Sequence, residues 1–89
     1  MSENKIIIYG TWWCGDCVRA RRFFERNQIN YVWIDIDKDK RGEEFVISTN
    51  NGMRSVPTIL FEDGSTLTEP GEIELRLKIS NLIPKVKLS

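Results

Sequence analysis

Cys14 and Cys17 are the only cysteines of an 89-residue chain; Gly15 and Asp16 separate them, and Trp12 and Trp13 precede them. Two thiols at this spacing can cycle between dithiol and disulfide, supply half of a metal site, or pack as small apolar side chains on a helix face. A bridge across so short a loop would constrain little of the unfolded chain, so a structural staple is not the expected use.

The flanking elements sort these readings. Residues 5–9, KIIIY, are apolar on both alternating faces, as in a central strand covered from both sides. From Gly15 to Asn27, residues Cys17, Ala20, Phe23 and Phe24 fall on one stripe at helical spacing, with Arg19, Arg22 and Arg26 opposite. YVWID at 31–35 follows the turn-like NQIN as a second strand, which makes the crossover parallel and right-handed. The charged segment IDKDKRG is expected as a solvated loop, EEFVISTN as a short helix stopped near Gly52, and PTILFEDGSTLTE as a hairpin turning at Asp63-Gly64. A last helix aligns Leu75, Ile79 and Leu82 and ends at Pro84. The predicted order is β-α-β-α-β-β-α in one α/β domain over 1–89, with a core at about 5–83 and a C-terminal tail at 84–89 whose last residues, KVKLS, are expected to fray.

This layout places Cys14 where the first strand gives way to the first helix, with Cys17 one turn inside. Unpartnered N–H groups at a helix N-terminus favour a thiolate, and such positions lower a cysteine pKa from about 8.5 to between about 3.5 and 7.5. Cys14 is therefore the candidate nucleophile. Cys17, on the apolar stripe, is the candidate resolving thiol, and the pair forms a redox-active disulfide in turnover. Gly15 permits a tight turn, whereas Asp16 favours the helix dipole but repels an adjacent thiolate by about 1 kcal/mol at near-aqueous screening. Two inert buried cysteines are the plain alternative, disfavoured because Cys14 lies off the stripe. A standard zinc site needs four ligands, and this chain has two cysteines and no histidine. An iron–sulfur cluster shared by two chains, with Cys14 and a small thiol as ligands, is the remaining metal reading.

Composition narrows the partners. Thirteen basic residues balance thirteen acidic ones, which leaves no global field to hold nucleic acid or an anionic membrane. No run approaches the ~18 apolar residues of a membrane span, and MSENK does not open like a secretory signal. A monomer in the cytoplasm is expected, where thiols stay reduced and a close pair is catalytic or metal-bound. Trp12 and Trp13 offer apolar contact to a partner, and Trp33 is expected in the core. Arg21 falls nearest the angular position of Cys14, two turns away. Lys38, Lys40, Arg41 and Arg54 border the groove and could draw an anionic thiol.

At these residues the chain resembles the glutaredoxin branch of the thioredoxin superfamily, most closely the mycoredoxins. The resemblance runs from residue 5 to about 82. It rests on Trp13-Cys14-Gly15-Asp16-Cys17, Glu44-Phe45-Val46, Asn51-Gly52, Arg54-Ser55-Val56-Pro57-Thr58, the run Phe61 to Thr68, and Pro70. It implies a three-layer fold with a mixed four-stranded sheet and thiol–disulfide oxidoreductase activity. The implied substrates are protein disulfides and mixed disulfides. No cofactor is implied as bound; a low-molecular-weight thiol serves as co-substrate, or a flavoprotein reductase recycles the chain. The resemblance also implies a cis peptide before Pro57, a Val56 backbone that pairs with the bound thiol, and a binding groove among Thr11, Trp12, Trp13, Arg54, Val56, Pro57 and Thr68. Thr11 stands where many glutaredoxins carry lysine, and Glu69-Pro70-Gly71 where they carry a Gly-Gly segment. Glu69, Glu72 and Glu74 crowd the start of the last helix, where they would oppose a ligand carboxylate. These departures weigh against glutathione as the natural thiol. The Trp-Ser-Gly-Phe segment of redoxins that serve ribonucleotide reductase is absent.

Overall fold

The alternation of KIIIY has a direct structural outcome, because successive side chains of a strand point to opposite faces. In the computed structural model, which describes residues 5–89, Ile6 and Ile8 join one buried cluster while Ile7 and Tyr9 join another. The reading of MSENK falls on residues 1–4, outside the described residues. Strand β1 (Ile7–Gly10) is followed by α1 (Gly15–Arg26), β2 (Val32–Asp35), α2 (Lys40–Thr49), β3 (Thr58–Leu60), β4 (Thr66–Thr68) and α3 (Glu72–Leu82). The sheet order is β2-β1-β3-β4. β1 runs parallel to β2, with Ile8 opposite Trp33, and antiparallel to β3, with Ile8 opposite Ile59.

Burial assigns the layers. Ala20, Phe23 and Phe24 of α1 and Leu75 and Ile79 of α3 cover the face carrying Ile8 and Ile59. Val46 and Phe45 of α2 cover the other face against Tyr9, Ile34 and Leu60. The result is the expected three-layer, thioredoxin-like arrangement with a mixed four-stranded sheet and the expected order of elements.

Two local expectations are corrected. The segment IDKDKRG is not all loop: Lys40, Arg41 and Gly42 form the first turn of α2, because the Asp39 carboxylate caps the helix by accepting from the Gly42 N–H at 3.1 Å. The tail is not frayed either. Val86 and Leu88 pack on the first core cluster, and the Ser89 N–H donates to Asn27 Oδ1 at 2.6 Å. Alternation of apolar Val86 and Leu88 with Lys85 and Lys87 gives that segment a face to bury.

The ends of α2 and the hairpin converge on the site. Asn50, past the last turn of α2, donates to the Val46 carbonyl at 2.8 Å and to Thr58 Oγ1 at 3.0 Å, while its Oδ1 accepts from Thr68 at 2.6 Å. One side chain thus ties α2 to β3 and β4. Gly52, with φ of +91°, completes the turn out of α2, where a residue with a side chain would be strained.

Candidate active site

β1 ends at Gly10, and the chain must turn at once to start α1 above it. Cys14 is the N-cap: its backbone is extended, and its Sγ accepts from the Cys17 N–H at 3.3 Å. The same sulfur donates to the Val56 carbonyl at 3.8 Å, across the groove and next to the cis Val56–Pro57 bond. Both cysteines are free; Cys14 is half-buried, whereas Cys17 is 0% exposed. Burial first, then the hydrogen bond with Cys14, push the Cys17 thiol up to about 12, against the opposing pull of the Thr11 backbone and Arg21. The two sulfurs therefore occupy unlike environments one helical turn apart.

Gly10 is what lets Cys17 lie so deep. A Cβ at this position would come within 2.6 Å of Cys17 Sγ and 2.8 Å of the Trp33 ring. Gly10→Ala is expected to destabilise the fold by about 2 kcal/mol, as overpacking of a filled interior does. Urea denaturation tests this, and an unchanged midpoint and slope would show that the interior has room there.

The other expected site residues fall into three groups. The Val56 carbonyl faces Cys14, whereas the Pro57 side chain is buried behind it and not open to the groove as expected. Thr68 stands beside them, paired in register with Thr58 while the Glu69 N–H donates to the Pro57 carbonyl at 2.8 Å. Thr11 lies beneath the groove, 0% exposed, with its hydroxyl unpartnered, and it reaches the pair through its backbone beside Cys17. Gly15 and Asp16 are exposed on the first turn of α1, where the Asp16 carboxylate is engaged by Arg19. Trp12 and Trp13 are 56% and 72% exposed beside Cys14.

Trp33 is not the core residue expected. Its ring packs against the core cluster on one side and is only partly buried. Arg21 lies 4.4 Å from the centroids of both Trp12 and Trp33, so the arginine is held in a cation–π stack instead of standing free. Its Nε also donates to the Tyr31 hydroxyl at 3.2 Å.

Asp37, which the sequence left among solvated loop charges, links the groove's two walls. Its Oδ2 accepts from Trp13 Nε1 at 2.9 Å, its Oδ1 from Arg54 Nη2 at 2.5 Å, and Arg54 Nε donates to Glu43 Oε2 at 2.7 Å. Arg54 first, then Trp13, hold the Asp37 carboxyl below the usual carboxylate range.

A cleft of about 190 Å³ runs from Asp16 and Arg19 on α1 to Glu69, Pro70 and Gly71 before α3. Glu72 at the start of α3 is paired with Arg26 and Arg76. A second cleft of about 650 Å³ lies at the far end of the sheet, between Lys5, Tyr31, Ile83 and Val86, away from the thiols. Among the described residues, no three histidine, cysteine or carboxylate side chains gather as metal ligands, and no helix is long and apolar enough to cross a membrane.

Comparison with known proteins agrees with this geometry. The Glutaredoxin family model matches residues 6–65. A glutaredoxin candidate of Mycobacterium tuberculosis is 45% identical over 79 residues, covering 89% of this chain and 94% of its own. Mycoredoxin 1 of Corynebacterium glutamicum is 35% identical over 79 residues, covering 89% of this chain and 98% of its own. The crystal structure of a glutaredoxin from Archaeoglobus fulgidus shares the fold, with a TM-score of 0.69 at 23% identity over 88% of each chain. With the family model spanning most of its length and its thiol pair at the head of α1, the chain belongs to the glutaredoxin family and is a thiol–disulfide oxidoreductase.

Proposed function

We propose that the chain reduces mixed disulfides between proteins and a low-molecular-weight thiol, and disulfides within proteins, with Cys14 as nucleophile and Cys17 as resolving thiol. The observation that carries this reading is the asymmetry of the pair: Cys14 is open to the groove at a helix N-cap, while Cys17 is buried and held as a thiol. The relative named mycoredoxin 1 supports the same class of substrate.

In the first step the Cys14 thiolate attacks one sulfur of the substrate disulfide. A Cys14–S–S–R bond forms, the substrate S–S bond breaks, and the other sulfur leaves as a thiolate that takes up a proton. In the second step Cys17, after losing its proton, attacks Cys14 Sγ to form the internal bridge. Alternatively, where R is a small thiol, a second small thiolate attacks the sulfur of R, so that Cys14 leaves as thiolate and a small-molecule disulfide forms. In the first case R leaves reduced and Cys14 and Cys17 are oxidised to a disulfide; in the second the two small thiols are oxidised instead, and in both two electrons have passed to the substrate. A small thiol in solution or a flavoprotein reductase then restores the dithiol. The Val56 carbonyl and the Cys17 N–H fix the Cys14 sulfur for in-line attack, while Trp12, Trp13 and Thr68 line the approach. This chemistry suits a monomer in the cytoplasm, with no nucleic acid or membrane as partner.

The test is a single turnover. Anaerobically reduced protein is mixed with a peptide–small-thiol mixed disulfide, quenched in acid and mapped by mass spectrometry. The first adduct is expected on Cys14, giving way to an internal Cys14–Cys17 bridge or to reduced protein. A first adduct on Cys17, or none, would overturn the assignment.

A further inference from the structure

The exchange chemistry of Cys14 and Cys17 makes no use of Arg21, yet that cation is held beside them. Arg21 follows Cys17 by one turn of α1, and long helical side chains lean back over the turn before their own, so its stem runs toward the resolving cysteine. Its guanidinium lies 4.4 Å from the centroids of both Trp12 and Trp33, and its Nε donates at 3.2 Å to the Tyr31 hydroxyl, which donates in turn to Glu25. The edge of the Trp33 ring and Cys17 Sγ share the space above Gly10, where a Cβ would come within 2.8 and 2.6 Å of them. The stack that fixes the cation thus reaches the niche of the buried sulfur.

The titratable or charged groups that act on Cys17 are Cys14 and Arg21, both on α1, together with the Thr11 backbone at the end of β1. Burial and Cys14 keep the proton on Cys17; Arg21 and Thr11 pull the other way. A cation clasped by two indoles is half-buried and already in place when charge develops, so its field needs no rearrangement to act.

We propose that Arg21 is a positioning residue for the second step: held by Trp12 and Trp33, its guanidinium stabilises negative charge on Cys17 Sγ as that sulfur attacks Cys14, and so speeds closure of the internal bridge. The proposal rests on the resolving role of Cys17 and deepens it. In closure the Cys17–Cys14 S–S bond forms, the Cys14–S–R bond breaks, R leaves with the electron pair, and overall one proton passes from Cys17 to R. The first step uses Cys14 at the helix N-cap and should not need Arg21.

The test mixes reduced protein with dithiodipyridine, an uncharged disulfide that the guanidinium does not attract as it would an anion. The first equivalent of thiopyridone reports attack by Cys14, and the second reports closure by Cys17. In Arg21→Gln the first phase should stay within about twofold of native, and the second should slow about 3- to 5-fold near neutral pH, as loss of a half-exposed cation one turn away implies. Arg21→Lys keeps the charge and should close within about twofold of the native rate. Should Arg21→Gln melt below the assay temperature, Arg21→Met keeps the apolar stem and repeats the loss of charge. A native second phase left unchanged by either neutral variant, or slowed equally by Arg21→Lys, would overturn this proposal alone. A native chain with no second phase would overturn the resolving role of Cys17 as well.

A titration gives a readout independent of turnover. Cys14→Ser leaves Cys17 as the sole thiol and removes the neighbour that raises it. The Cys17 Cβ resonance, followed through the alkaline range, should titrate at higher pH once Arg21→Gln is added, and an unchanged midpoint would overturn the proposal.

Discussion

Cys14→Ser should lose at least about a thousandfold in disulfide reduction, as removal of a nucleophile does, while the protein folds as before. A serine hydroxyl stays protonated near neutral pH and cannot enter thiol–disulfide exchange, which passes through a new S–S bond. The structural role of the position, by contrast, suits serine well. Cys14 Sγ accepts from the Cys17 N–H as an N-cap, and serine is among the preferred N-cap residues. The melting temperature should therefore hold, with a change in stability within about 1 kcal/mol. Turnover of a mixed-disulfide substrate together with a thermal melt measures both. A folded mutant with residual activity near the native level would remove Cys14 from the mechanism.

What the residues disclosed and what they hid divide along physical lines. The strand at KIIIY, the stripe through Cys17, Ala20, Phe23 and Phe24, and the Asp63-Gly64 turn were legible because each is a local periodicity or a backbone preference. The placement of Cys14 followed from the boundary between two such elements. The start of α2 was hidden because its cap, Asp39, stands in a run of charges where capping and solvation look alike. The Trp13–Asp37–Arg54–Glu43 chain was hidden for a different reason. Its partners lie 24, 17 and 11 residues apart, and only the packing of α2 and the β2–α2 connection beside Cys14 brings them together. Arg21 shows the same limit: its angle on α1 pointed toward Cys14, but its partners are Trp12 and, on β2, Trp33. The burial of Thr11 also depends on the whole fold, since a lone threonine after a strand carries no signal for it.

Cys17→Ser should separate two cycles that share the Cys14 nucleophile. The Cys17 thiol is pushed up to about 12, so near neutral pH it is protonated and must lose that proton before it can attack Cys14. Its thiolate fraction falls about tenfold for each pH unit below that value. Resolution by Cys17 should therefore quicken as pH rises through the alkaline range. A small thiol in solution keeps its own, lower pKa, so its attack on the small-thiol sulfur bound to Cys14, which releases the Cys14 thiolate, does not share that dependence and needs only access from the groove. Removal of a small thiol from a protein should then survive Cys17→Ser at half the native rate or more. Reduction of a protein disulfide has no such external rescue within the encounter: the substrate stays tethered to Cys14, and turnover should fall by roughly 100-fold or more. The buried position argues for a second variant, since a serine hydroxyl beneath Gly10 needs a partner that an alanine does not. Cys17→Ala should reproduce the split, and a melt of each variant reports whether the interior has held. Both activities are read with matched small thiols across the alkaline range. Equal loss of both in a folded variant would mean that Cys17 is not the group that resolves Cys14, and a native protein-disulfide rate that stays flat with pH would mean that loss of the Cys17 proton does not limit resolution.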